Sequence, residues 1–143
     1  MKITELADSP YRYSQTANRS NSDDFVFQTD KLLYKVRLVY KPELMTVAFV
    51  AIDPETKEET QEVLNTGNAL RVFATVADIV RDQLTRRHPK QIAFAADSSA
   101  ASRVSLYQRI ARNIQRYLPD YRYSGVEQLH KVGITRFVLE RNR

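Results

Sequence analysis

The sequence contains no cysteine, which removes disulfides, thiol nucleophiles and thiolate metal sites together. It has only two histidines, His88 and His130, far apart and without a partner at ligand spacing. A histidine-rich metal site is therefore not expected, and no metal is assigned. No apolar run approaches the roughly 20 residues needed to cross a bilayer. The first residues, "MKITELADSP", lack the apolar centre of a signal peptide. These absences lead to the expectation of a cytoplasmic protein with no membrane partner.

What remains is an ordinary globular composition, 43% hydrophobic and 27% charged over 143 residues. That length suits one domain, 1–143, with residues 1–30 as a partly irregular N-terminal arm. The net charge of +5 is unevenly spread. Residues 1–70 hold 8 Lys or Arg against 11 Asp or Glu, whereas residues 71–143 hold 14 against 6. A basic half attracts polyanions such as nucleic acid, an acidic protein surface or a phosphorylated cofactor. The plainer alternative is a solvated, arginine-rich helix face.

Residues 14–24, "SQTANRSNSDD", are polar and without period, and read as a loop or mobile arm. From Leu32 the pattern is clean. Leu32, Tyr34, Val36, Leu38 and Tyr40 alternate with Leu33, Lys35, Arg37, Val39 and Lys41, which is a strand with one buried face. "KPEL" turns the chain into a second strand, Met45 to Ile52. After "DPETKEE", "TQEVL" reads as a third, so residues 31–64 predict an antiparallel meander. A helix follows, with Ala69, Val72, Phe73, Val76, Ile79, Val80 and Leu84 on one stripe, ended by "RRHP". "QIAFAA" is a buried strand, and Asp97, Ser98 and Ser99 are N-cap candidates for a second helix running to about Leu118. Its stripe is Ala100, Val104, Tyr107, Ala111, Ile114 and Leu118. Ser105, Arg109, Arg112 and Arg116 share the opposite face. Two more strands are expected near Tyr121–Ser124 and Ile134–Arg141, with a longer connection. The fold class is α/β (mixed α+β), a central, mostly antiparallel sheet of about six strands with two main helices packed on it.

One short stretch carries chemistry. In "EVLNTGNALRVF" a strand runs through a single-glycine turn into a helix, which aims backbone N–H groups and the positive end of a helix dipole at one spot. Such a turn suits a phosphate, and it is also simply a common way to enter a helix. Asn65 and Asn68 serve equally as turn and cap residues.

The element order and this turn resemble the GNAT (N-acetyltransferase) superfamily. That family binds acetyl-coenzyme A through a (Q/R)-x-x-G-x-(G/A) loop at the start of the helix after its fourth strand. The matching run is "LNTGNA", with Gly67 and Ala69 at the glycine and small positions and Leu64 in place of glutamine or arginine. "SRVSLYQRI" is similar to the helix whose tyrosine acts as general acid towards the coenzyme thiolate. The resemblance gives that role to Tyr107 and pyrophosphate contacts to Gly67, Asn68 and Ala69, and Asn65 in the same turn and the cationic Arg103 are further candidates for cofactor contact. It departs at Ala100, where an asparagine is usual, and at Arg103, where an alanine is usual. It departs again in "ARNIQRYL", which continues the helix beyond the family's turn. The chain is also similar to small GNAT-like proteins of tailed phages.

Arg103 lies about 40° off the buried stripe at 100° per residue, near a helix N-terminus where a cation opposes the dipole. It is either an anion ligand or a snorkelling arginine bonded to Asp97 or the meander. Tyr107 is either a general acid or a core tyrosine whose hydroxyl reaches a neighbour. Glu62 is the one candidate general base. Two functions stay open. One is acetyl-coenzyme A-dependent transfer to an amine. The other is an inactive binding module that engages nucleic acid or an acidic protein through Arg109, Arg112 and Arg116. A homo-oligomer is compatible with either.

Overall fold

The computed structural model describes residues 10–29, 32–60 and 69–142. Its elements run β1 (Tyr13–Asn18), β2 (Ser22–Gln28), β3 (Leu33–Lys41), β4 (Leu44–Ile52) and β5 (Glu59–Thr60). They continue with α1 (Ala69–Arg87), β6 (Gln91–Asp97), α2 (Ala101–Ile114), β7 (Tyr121–Leu129) and β8 (Ile134–Arg141). The sheet order is β1-β2-β3-β4-β6-β8-β7, with the two-residue β5 paired to the end of β4. Only β4 and β6 run parallel among these pairings. The architecture is thus the mixed α+β one expected from the pattern.

Alternation along the strands decides which face is covered. Tyr34, Val36, Leu38 and Tyr40 of β3 are buried, as are their neighbours Met45, Val47 and Phe49 on β4. The register carries this face on through Ile92 and Phe94 to Leu139 and Phe137. Both described helices lie on it. Arg87 of α1 stacks over the Tyr40 ring, and Tyr107 of α2 packs against Phe49 and Phe94. Helix α1 buries Val72, Phe73, Val76, Ile79 and Val80, the stripe read from the sequence. In α2 the buried set adds Leu106 and Ile110 to the expected Tyr107, Ala111 and Ile114.

Three expectations are corrected. Residues 14–24 are not a loop, since they form β1 and the start of β2. Strand β1 is an edge strand solvated on most of its positions, so it carries no apolar period. On β2, Asp23 interrupts the pattern by being buried. Its carboxylate accepts bonds from the Tyr40 hydroxyl at 2.6 Å and from Gln15 Nε2 at 3.0 Å. Second, α2 begins after Ala100, which makes no side-chain cap bond, and it ends at Ile114 rather than Leu118. Asp97 instead accepts from the Ser99 N–H at 2.9 Å and the Ser99 hydroxyl at 2.6 Å, a local turn before the helix. Third, β7 extends to Leu129 and meets β8 through a short turn, with a bulge between Tyr123 and Gly125. Gly125 has φ +143°, a conformation that favours glycine at that bulge. Of the strand expected over "TQEVL", Thr60 lies in β5 and residues 61–64 lie outside the described residues.

Candidate functional site

The parallel ladder between β4 and β6 is short. It pairs Leu44 with Gln91 and ends where Val47 meets Phe94. Beyond that point β6 no longer supplies partners to β4. The backbone of Phe49, two residues on, is completed instead by a side chain from α2. The Tyr107 hydroxyl accepts the Phe49 N–H at 2.7 Å and donates to the Phe49 carbonyl. One phenol thereby serves as donor and acceptor, as an adjacent strand residue does with its two backbone groups.

Tyr107 reaches this position because it lies on the buried stripe of α2, and its ring is held on two sides. Phe49 stacks on it at 4.9 Å between centroids, and Phe94 meets it edge-on at 6.4 Å. The aromatic series continues from Phe49 to Tyr34 at 6.4 Å and from Tyr34 to Phe27 at 4.8 Å. Tyr107 is 1% exposed.

Tyr34 has an unusual position in that series. It is fully buried, and its hydroxyl has no hydrogen-bond partner among the described residues. Burial pushes its phenol well above the ordinary tyrosine range, with Tyr11 adding to the effect. A buried unpaired hydroxyl is costly and marks a place where a polar group would be welcome. Sequence reading treats Tyr34 only as a core position. No signal in the pattern separates a satisfied core tyrosine from this one.

At the mouth of β6, the Asp97 carboxyl is held below its ordinary value by the Ser99 hydroxyl, then by the Ser99 N–H, with Arg103 contributing. Arg103 is half-buried on the first turn of α2 and has Asp97 as an electrostatic partner. That matches the snorkelling alternative without removing the anion-binding one. Ala69 is the first residue of α1, whose first turn contains no acidic residue. A helix N-terminus without a carboxylate is compatible with a phosphate. Glu62, Asn65, Gly67 and Asn68 lie outside the described residues.

Arg109, Arg112 and Arg116 are exposed on one side of α2 and its continuation. None of the three forms an ion pair among the described residues. Arg112 lies 6.0 Å from the Tyr123 ring centroid, at the limit of cation–π contact. No group of three or more acidic or histidine side chains suited to a metal occurs among the described residues. No described helix is long and apolar enough to cross a membrane.

Two solved structures can be set beside this fold. A candidate acetyltransferase from Sphaerobacter thermophilus aligns with a TM-score of 0.43 and 4% identity, over 87% of this chain and 71% of that one. A variant of the spermidine N-acetyltransferase of Vibrio cholerae aligns with a TM-score of 0.45 and 9% identity, over 85% of this chain and 66% of that one. Among curated proteins no sequence matches. The profile of a family described as "Family of unknown function (DUF6934)" matches residues 9–142, and the chain belongs to that family.

Proposed function

We propose that this protein is a GNAT-like acyltransferase that takes acetyl-coenzyme A and an amine. The observation that carries this reading is the parting of β4 and β6 at Val47 and Phe94, with the Tyr107 hydroxyl filling the β4 edge at Phe49 before β5 takes it over at Ala51 and Ile52. The tyrosine at that edge is also the one that the sequence resemblance selects as general acid.

Acetyl-coenzyme A, when bound, supplies a thioester whose acyl carbon an amine can attack. The chain's own residues then have simple tasks. Gly67, Asn68 and Ala69, with Asn65, would hold the pyrophosphate at the start of α1, and Arg103 would add a cationic contact. Glu62 accepts a proton from the attacking amine. Tyr107 holds a proton at its hydroxyl oxygen for the departing sulfur, and releasing it requires exchange of the Phe49 carbonyl for that acceptor.

A second reading has its own observation, the exposed arginines at 109, 112 and 116, which form no ion pair among the described residues. It makes the chain an inactive binding module for a nucleic acid or an acidic protein. Calorimetric titration with acetyl-coenzyme A at moderate salt separates the two. Saturable one-site binding that is lost in Gly67→Trp and retained in Arg109→Glu/Arg112→Glu supports the acyltransferase. No heat at millimolar ligand overturns it and leaves the module.

A further inference from the structure

The opposite end of the sheet from Phe49 carries a second feature. Two hollows, of about 730 and 910 Å³, share Pro42, Glu43, Leu44, Lys90 and Arg141 and so form one groove. Lys41, Arg86, Arg87, Lys90, Arg122 and Arg141 line it, against the carboxylates of Glu43 and Glu140. These six cations come from the β3–β4 turn, the end of α1, the start of β6, the start of β7 and the end of β8. Folding draws them together from positions 100 residues apart along the chain. Such convergence costs self-repulsion unless an anion neutralises it.

Local roles account for part of the set. Lys90 pairs with Glu43 at 3.1 Å and Arg122 with Glu140 at 3.2 Å. Arg141 Nη1 donates to the His88 carbonyl at 2.8 Å. Arg86 reaches Asp82 only at 3.9 Å. Cations at the last turn of α1 also suit the helix dipole. The local carboxylates still leave an excess of about four positive charges in the lining. The Lys90 and Arg86 side chains remain 63% and 64% exposed, and are therefore open to a ligand.

Arg87 adds a second property. Its guanidinium carbon lies 3.6 Å from the Tyr40 ring centroid, and both residues line the groove. The Tyr40 hydroxyl is fixed by Asp23, so the ring cannot swing away. Arg87 is exposed, and a guanidinium held over a fixed ring is suited to stack on a nucleobase as well. Each hollow alone falls within the roughly 300–1,000 Å³ of a small-molecule site, and two in line suit an extended chain.

We infer that this groove binds single-stranded nucleic acid, with Lys41, Arg86, Lys90, Arg122 and Arg141 on phosphates and Arg87 stacked on a base. The inference does not depend on the acetyl-coenzyme A reading, since the groove lies at the other ends of β4 and β6. It also differs from the α2 arginine face. The run "RRHPK", residues 86–90, was the sequence signal for it, where the pattern is otherwise used only to end a helix.

Fluorescence anisotropy with a labelled single-stranded oligonucleotide of about 12 residues, within the span of known single-strand grooves, provides the test. Neutralising about four phosphates predicts a roughly 50-fold loss of affinity from 0.05 to 0.2 M salt. Lys41→Glu/Lys90→Glu is expected to weaken binding by about 10-fold or more. Arg109→Glu/Arg112→Glu/Arg116→Glu is expected to leave it unchanged. Arg87→Lys keeps the charge and removes the plane, so it should weaken the oligonucleotide while leaving heparin, which has no bases, unaffected. Circular dichroism melting checks that each variant is folded. No binding at 0.05 M salt, loss only in the α2 variant, or equal affinity for a glutamate-rich peptide would each overturn the inference.

Discussion

The Tyr107 hydroxyl and the backbone of Phe49, 58 residues away in sequence, complete each other's hydrogen bonding in the interior. Tyr107→Phe removes the oxygen and leaves one buried N–H and one buried carbonyl of Phe49 without it. A cost of about 2–4 kcal/mol in urea unfolding is expected for two such groups. If the protein transfers an acyl group, kcat falls in the same variant while KM for the cofactor is retained. A folded variant with unchanged kcat confines Tyr107 to the structural role.

Phe94 tests the core on the other side of the same ring. It is fully buried and meets Tyr107 edge-on. Phe94→Ala is expected to cost about 3–5 kcal/mol through lost burial and the cavity left behind. A loss below about 1 kcal/mol in denaturant unfolding would contradict its place in the core beneath α2.

Alkaline stability follows from the tyrosines. Burial, followed by the charge of Asp78, pushes Tyr13 up to about 12 from an ordinary 10.0. Burial likewise raises Tyr34, Tyr40 and Tyr121, with the Asp23 bond adding at Tyr40. A raised folded pKa means that this stability is intact below the unfolded value of about 10 and is lost as pH rises through the folded value. Ultraviolet titration should therefore show these four of the eight tyrosines ionising only above pH 10, together with unfolding. Uniform ionisation near pH 10 in a folded protein would refute this.

At the acidic end the informative group is Asp24. A bond from Arg37 at 2.7 Å, followed by one from Arg19 at 3.1 Å, holds its carboxyl below the ordinary 3.8. A lowered folded pKa contributes stability above the unfolded value, which fades as pH falls through the folded one. Arg37 is 59% exposed, so Arg37→Ala should cost under about 1 kcal/mol at neutral pH. The difference between wild type and variant should shrink below pH 4, and a difference independent of pH would rule out the pair as its source.

Much of the architecture was legible because strands β3, β4, β6 and β8 carry strong periods. Leu33–Lys41 alternates, Gln91–Asp97 is buried on both faces, and α1 keeps one apolar stripe over 19 residues. The signal failed where burial and polarity part company. Asp23 is only 4% exposed and fully bonded, so a strand looked like a loop. The candidate site was half legible. Periodicity put Tyr107 on the buried side of α2, but its partner is a backbone group on β4, and no side-chain pattern encodes that. The groove was missed for a related reason. Its cations are scattered over the chain, and only strand register brings Arg122 and Arg141 beside Lys90.

Among the described residues, the four-residue ladder from Leu44 to Val47 is the strand pairing that zips two antiparallel curls into one sheet. β1-β2-β3-β4 forms one curl and β6-β8-β7 the other. Mechanically this is a seam, with a tyrosine as its top stitch and the groove at its lower hem. Force applied across β4 and β6 should part the protein there before either curl unravels. The β6 amides that bond to β4 should then exchange sooner than those in the middle of β3, although both sets are buried.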